Sequence, residues 1–425
     1  MNAQYEIRLY DKKLLSFELN IDTAVGYSVN IMDVSEPLSL FPLDMIPDAD
    51  GVLRWLERRV IPKNRTFVDE ILRSMNLSHG DTKGIIDVCK GLSLNDSYWV
   101  VPVGFTGTFA EYNLYENRFS EILSLVAYTG VTQSDAAFST SPEFTTNGML
   151  PKAWRYIEGE GIYLYKGGTS GAANTGREPY SEYYAAQVAK AMDLNAVHYD
   201  LENWKGILAS KCKLFTNIDT AFVPIGRIIR TGGLAAVMKY YEDLGSEFTD
   251  SIRDMLVFDA LIYNEDRHFG NFGLLRDNHT GYITAAAPIF DNGLSLFNYA
   301  MPSDYADLDS YAKTRAPVYA GTTFEGICQS FMTTKQVSRL RKILNFSFAR
   351  HPKLNLPEEH LTAIEKHLRA RASKLIGLSR TKTVGVTKKL TLTKRLDEGR
   401  EKAAQQNENK SNEAHRAPKI GADIE

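Results

Sequence analysis

The stretch from 248 to 293, FTDSIRDMLVFDALIYNEDRHFGNFGLLRDNHTGYITAAAPIFDNG, restricts this chain more than any other. Its first part repeats apolar residues at helical spacing (Ile252, Met255, Leu256, Leu261, Ile262), which predicts a helix with a buried face. That helix delivers the chain into a polar interruption made of Glu265, Asp266, Arg267, His268 and Asn271. Two strand-like runs follow around a turn at 277–281, and the second ends in Asp291-Asn292-Gly293. Such a hairpin brings Asn271 and Asp291 to adjacent strand ends. Hard divalent cations prefer Asp and Asn oxygens. A further carboxylate on the same loop, Asp266, can orient and deprotonate an attacking hydroxyl. Gly293 supplies backbone freedom beside the ligand. The pattern therefore predicts phosphoryl transfer, with Asp266, Asn271 and Asp291 as catalytic residues and Asn271 and Asp291 as metal ligands. Local turn bonding is the plainer alternative for each of them.

Phosphates also need positive charge and backbone N–H groups. Upstream, KAWRYIE and IYLYKGG flank a turn at 159–161, and Lys166 closes the second run. A helix with Pro179 near its start follows and carries Glu182. Lys166 is predicted to contact phosphate and Glu182 to hold it, with Glu178 as the competing acid. TTNGMLPK, at 145–152, offers a Gly-containing loop with amides at Gly148 and Met149 and the amine of Lys152. It is not a Walker A sequence. The Gly-rich run 167–171 follows its lysine and reads as a connection. His268 is counted with the nucleotide-side residues, and its own chemistry makes it a hydrogen-bonding brace of the loop. Arg267 is expected to pair with Asp266 or with a backbone carbonyl, and Tyr163, Tyr165, Tyr183 and Tyr184 to be core.

A length of 425 residues allows two or three domains. With 44% hydrophobic and 24% charged residues the composition is that of a globular protein. A net charge of -3 argues against broad affinity for nucleic acid or anionic lipid. No run approaches the roughly 20 apolar residues a membrane span needs, and the first 20 residues carry charges where a signal peptide needs an apolar core. Cys89, Cys212 and Cys328 are too far apart for a zinc site or a disulfide framework, so a cytoplasmic location is expected. The opening residues alternate as a β-hairpin does. Helices are predicted on either side of Pro62 and over 81–94, a strand stopping at Pro102, β character in ASKCKLFTN and AFVPIGRII, and a closing helix headed by Pro357. The Ser/Thr/Ala-rich stretch 130–147 reads as a boundary.

NEDRHFGN followed by IFDNG, with NGMLPK, YLYKGG and PYSEYYAAQVAKAM upstream in that order, resembles the HipA-like Ser/Thr kinases and the related CtkA-type kinases. The D-R-H-x-x-N element is also similar to that of phosphatidylinositol 3-kinases. LRWLERRVIPKNR is similar to the leading domain of the HipA-like group, so the resemblance covers roughly residues 1–378. It implies an α+β chain with a bilobal protein-kinase-like fold, a β-rich nucleotide lobe and helical C-lobe, behind an additional α/β N-terminal domain. The implied limits are 1–135 for that domain, 136–216 for the nucleotide lobe, 217–378 for the catalytic lobe and 379–425 for a disordered tail. ATP and Mg²⁺ are the implied cofactors, with Asp266 as catalytic base, Asn271 and Asp291 on the metal and Lys166 on phosphate. The loop from Gly148 to Lys152 would cover the nucleotide, and Lys213-Leu214-Phe215 would line the adenine pocket as a hinge. A protein hydroxyl is the implied acceptor and a small DNA-binding antitoxin-type protein a further partner, with no direct nucleic-acid contact and no membrane. HipA-like loops often carry an autophosphorylated serine; this one offers Thr145 and Thr146, with Ser139 and Ser141 farther away. The Asp-Asn-Gly motif lacks the phenylalanine used for switching in eukaryotic kinases. The competing readings are a catalytically weak nucleotide-binding regulator in a toxin–antitoxin pair and a lipid or small-molecule kinase.

Overall fold

Alternation at the start of the chain does form a hairpin: β1 (Asn2–Leu9) and β2 (Lys12–Asp22) pair antiparallel, with Tyr10 at φ 51° in the turn. The computed structural model describes residues 2–22, 26–131 and 140–381. Ser139 and the tail beyond Thr381 lie outside these described residues. β3 (Gly26–Val34) joins β2, and β4 (Tyr98–Pro102) joins β1, giving the order β3-β2-β1-β4. Ile7, Phe17 and Leu19 pack with Val52, Trp55 and Leu56 of α1 (Ala49–Glu57). Asp48 caps that helix, its carboxylate accepting from the Gly51 N–H at 2.7 Å. The chain breaks around Pro62 as proline requires, then forms α2 (Val68–Arg73), α3 (Thr82–Cys89), α4 (Phe109–Tyr112) and α5 (Glu121–Thr129).

A second four-stranded sheet contains β5 (Lys152–Ile157) and β6 (Gly161–Lys166). After α6 (Glu178–Ala191) come β7 (Tyr199–Trp204) and β8 (Ile207–Lys213), in the order β5-β6-β8-β7. Tyr165 and Tyr184 are core as predicted, whereas Tyr163 and Tyr183 are only half-buried. Across 130–147 the chain changes composition, yet the described residues on either side pack together. The Ser124 hydroxyl of α5 donates to the Trp154 carbonyl at 2.7 Å, and Arg65 reaches Glu143 and the Lys152 carbonyl.

β9 (Thr220–Pro224) is a strand, but the rest of AFVPIGRII turns into α7 (Ile225–Ile228) instead of extending it. The Ile225 and Gly226 N–H groups bond to the carbonyls of Phe272 and Phe269, which draws the chain off the ladder after Pro224. α8 (Gly233–Leu244) and the predicted helix α9 (Ser246–Ile262) follow. β10 (Gly273–Asp277) and β11 (Ile283–Ala286) then form the predicted hairpin in a sheet ordered β11-β10-β9. α10 (Leu308–Ala312), α11 (Phe324–Phe331), α12 (Thr334–Arg341) and α13 (Glu358–Thr381) complete the helical lobe. Its core joins Leu256, Phe258 and Leu261 of α9 to Leu361, Leu368 and Leu375 of α13. No helix among the described residues is long and apolar enough to cross a membrane.

Candidate active site

Lys166 ends β6 directly across from Lys152 on β5. Its Nζ donates to Glu182 Oε1 at 3.0 Å and to Asp291 Oδ1. Burial opposes the charge, but the Asp291 and Glu182 carboxylates hold this amine above the ordinary lysine range. The second Glu182 oxygen accepts the Asn292 N–H at 2.7 Å, so one carboxylate ties the lysine to the Asp291 loop. Burial pushes the Glu182 carboxyl upward, and Lys166 pulls it back. The choice between Glu178 and Glu182 is thereby resolved. Glu178 instead accepts from the Thr169 N–H at 3.2 Å, the Thr169 hydroxyl at 2.6 Å and the Tyr299 hydroxyl at 3.0 Å. It pins the Gly-rich connection to the head of α6, one turn before Glu182.

α9 closes on Tyr263 at φ 56°, and the loop it releases carries Asp266. Burial raises the Asp266 carboxyl, His268 draws it down and the Asp291 carboxylate raises it again. The two acidic groups therefore lie within each other's field. Asn271 Nδ2 donates to the Asp266 carbonyl at 2.9 Å, which leaves the amide oxygen as the acceptor able to meet a ligand. His268 is exposed and its Nδ1 accepts the Gly270 N–H at 3.0 Å, so it braces the loop.

Arg267 departs from one of its two expected partners. It is buried and does not pair with Asp266. Its Nε donates to Asp259 Oδ2 at 2.9 Å and its Nη2 to Asp259 Oδ1 at 3.0 Å. The remaining donors reach the Asn271 carbonyl at 3.0 Å, the Phe290 carbonyl, and Asn292 Oδ1 at 2.6 Å. A buried guanidinium needs a carboxylate that fits its planar fork, and Asp259 in the last turns of α9 provides one. One side chain thus fastens the Asp266–Asn271 loop to the Asp291 loop. Sequence reasoning missed Asp259; an aspartate between Phe258 and Ala260 in an apolar helix was the available signal.

Asn271 precedes β10 and Asp291 follows β11, and their loops meet through Arg267 as the hairpin predicts. The left-handed residue is Asp291 itself, at φ 57°, while Gly293 takes no positive φ. The freedom assigned to Gly293 is therefore not used in that way. The Asp291 N–H donates to the Tyr199 hydroxyl at 3.2 Å, an anchor on β7 that the sequence did not reveal. Burial would raise the Asp291 carboxyl, but Lys166 overrides it and holds the group below the usual carboxylate range.

The 145–152 loop folds back on itself. Lys152 is buried and its Nζ donates to the Asn147 carbonyl at 2.8 Å. Burial, then the neighbouring Lys166 charge, lower its amine to about 7. Gly148, at φ 93°, lies so close that a Cβ would sit 2.1 Å from Lys152 Nζ. Met149 is exposed, and its carbonyl accepts from the Thr66 N–H and hydroxyl at 2.8 and 2.6 Å. Thr145 and Thr146 both spend their hydroxyls inside the loop's surroundings, on the carbonyls of Leu92 and Pro142. In the segment 213–215, expected as a hinge, Lys213 is exposed. The Leu214 N–H is bonded to the Ile162 carbonyl at 2.9 Å, and the Leu214 side chain packs toward Phe109 and Trp154. Phe215 is the member that turns toward the site, 5.4 Å from the ring of Phe290 beside Asp291. A cleft of about 280 Å³ lined by Phe119, Ile122, Arg155 and Trp204 contains none of these residues.

Among the described residues no group of three or more His, Cys, Asp or Glu gathers to hold a metal by itself. One carboxylate and one amide oxygen nevertheless suit Mg²⁺, which completes its shell with water and phosphate oxygens. Lys166 beside Asp291 and the small residues at 148 and 293 suit a polyphosphate.

Scans against protein-family models and curated proteins return no match. Among solved structures, the chain is similar to HipA in the Shewanella oneidensis MR-1 toxin–antitoxin complex of HipA, HipB and operator DNA. That match has a TM-score of 0.56 and 14% identity, and covers 90% of this chain and 100% of that one. The Helicobacter pylori proinflammatory kinase CtkA aligns with 56% of this chain and 93% of its own, at 20% identity and a TM-score of 0.46. The architecture is thus α+β and bilobal, a HipA-like fold with an α/β layer ahead of its β-rich lobe and helical lobe.

Proposed function

We propose that this chain is an ATP- and Mg²⁺-dependent protein serine/threonine kinase of the HipA-like type. The observation that carries the reading is the convergence of three segments: Lys166 from β6, Glu182 from α6 and Asp291 beyond β11 share one ion-pair network, and the Asp266 carboxyl lies in its field. When bound, Mg²⁺·ATP supplies the transferable phosphoryl group and the cation that screens its charge. Lys166 would meet phosphate oxygens, with Glu182 keeping it at the end of its strand. Asp291 and Asn271 would hold the cation through their side-chain oxygens. Asp266 accepts the proton of the attacking hydroxyl at its carboxylate. Arg267 touches no substrate; it holds the two loops at a fixed spacing. The loop from Gly148 to Lys152 would lie over the phosphates, with the Lys152 amine, which donates to the Asn147 carbonyl, as its phosphate-binding group.

The domain limits 1–135, 136–216 and 217–378 belong to this reading, as does a cytoplasmic location. HipA in the similar structure is assembled with HipB and operator DNA, which supports a small DNA-binding antitoxin-type partner for this chain. The reading is tested with γ-³²P-ATP and a cell lysate. Asp266→Asn is expected to keep the fold and nucleotide affinity while phosphate incorporation falls by about 10²-fold or more. Near-normal transfer by that variant would sink the role of Asp266. Asp291→Ala is expected to remove most of the Mg²⁺ dependence of nucleotide binding seen by calorimetry.

A further inference from the structure

The hairpin that carries Asn271 and Asp291 at its two ends is anchored at its tip in the N-terminal layer. Arg276 on β10 is 1% exposed. Its Nε donates to the Gly281 carbonyl at 2.7 Å, Nη1 to the Tyr98 hydroxyl at 2.7 Å and Nη2 to the Ser39 carbonyl at 2.5 Å. Asn278 Nδ2 donates to Ser97 Oγ at 3.2 Å and to the Ile218 carbonyl at 3.0 Å. The His279 ring stacks on Tyr10 with centroids 4.9 Å apart. Gly281, at φ 77°, approaches the Ser39 backbone so closely that a Cβ would lie 2.1 Å from its carbonyl oxygen. The turn is therefore shaped to fit this surface. Residues 10, 39, 97 and 98 belong to the β1–β4 layer and its connections, and none lies in the loops that hold the proposed metal ligands.

A paired hairpin is stiff along its strands, while an undocked one can twist and swing. Arg267 secures the base of this hairpin against α9. β9 pairs with β10 as far as Thr220 opposite Asp277, and the contacts of Arg276, Asn278 and His279 fasten the tip to the N-terminal layer. We infer that Arg276 is a positioning residue: by docking the 277–281 turn on the N-terminal sheet, it sets how Asn271 and Asp291 face each other and so tunes their affinity for a divalent cation. The inference rests on the proposed reading of those two residues as cation ligands. It gives the N-terminal layer a part in the site although it contributes no ligand to it.

The test titrates Mg²⁺ into the full chain with ATP by calorimetry, alongside ATP binding in EDTA. Arg276→Met is expected to raise the Mg²⁺ half-saturation by about 10-fold or more, as loss of an outer support does, with metal-free ATP affinity changed less than about 2-fold. Tyr98→Phe keeps its ring but loses the hydroxyl, and is expected to shift the half-saturation about 3-fold the same way. Without nucleotide, the amides of Asn271 and Ala287 should exchange hydrogen faster in both variants. Should Arg276→Met fail to fold, Tyr98→Phe and Asn278→Ala decide by the same criterion. Unchanged Mg²⁺ dependence in folded variants, while Asp291→Ala weakens it, overturns the inference and leaves the kinase reading standing. Equal loss of metal-dependent and metal-free affinity marks a merely structural role and also overturns it. Wild-type ATP affinity indifferent to Mg²⁺, or to Asp291→Ala, overturns the kinase reading and the inference with it.

Discussion

Lys152 illustrates how far one side chain's chemistry depends on its surroundings. Folding buries its amine and sets it across from the Lys166 charge, which together lower it from 10.5 to about 7. Between those values the unfolded chain binds the extra proton. The cost to stability is therefore full below about pH 7 and is relieved as pH rises toward about 10. Lys152→Met is expected to be more stable than wild type by roughly 1–3 kcal/mol at pH 6.5, with the gap closing as pH rises. Urea denaturation across that range checks it, and a gap independent of pH would contradict the assignment. At this scale the sequence named Lys166, Glu182 and Asp291, which share one ion-pair network, and Asp266 and Asn271, whose loop is tied to the Asp291 loop through Arg267. It could not choose between Glu178 and Glu182, because both lie on one face of α6, a turn apart, and only the docking angle of that helix selects one. Nor could it show that Leu214 spends its N–H on Ile162, a pairing set by strand register.

Elements announced by periodicity were legible. The helical spacing before Tyr263 and the two runs around 277–281 became α9 and the β10–β11 hairpin. β3 and β7 were not read, and the strand expected across Pro224 ended there. Short elements like these are decided by which neighbours take their N–H groups. How loops are fastened to elements is equally non-local, as Arg267 shows. Arg267→Lys keeps a charge for Asp259 but loses the fork that spans the carbonyls of Asn271 and Phe290. The variant is expected to bind Mg²⁺·ATP about 10-fold more weakly, with a smaller change in ATP binding without metal, in a calorimetric comparison. Arg267→Met also strands the buried Asp259 carboxylate and should cost about 3–5 kcal/mol of stability.

For the molecule as a whole, the N-terminal layer and the β5–β8 sheet that follows it are joined by a buried ion pair that no spacing rule suggests. Arg65, between α1 and α2, meets Glu143 with both side chains fully buried, and the same guanidinium donates to the Lys152 carbonyl at 3.0 Å. Glu143 Oε1 also accepts the Trp154 N–H at 2.7 Å. Removing one partner leaves the other charged and dry. Glu143→Gln is therefore expected to destabilise the chain by about 3–5 kcal/mol, whereas Arg65→Met with Glu143→Leu together should cost markedly less. Chemical denaturation of the single and double variants measures the difference. Equal costs would mean that the pair contributes little beyond its packing.

By itself the sequence determined the local chemistry: a helix, a polar loop and a hairpin bounded by two oxygen-bearing motifs, and a lysine at the end of an upstream strand. Those features follow from residue type and periodicity, which act over a few residues. Only the tertiary structure decided which acid holds Lys166, what anchors Arg267 and which surface receives the 277–281 turn. Each of these pairs residues far apart along the chain, and the balance between burying a charge and meeting its partner exists only once the layers have packed.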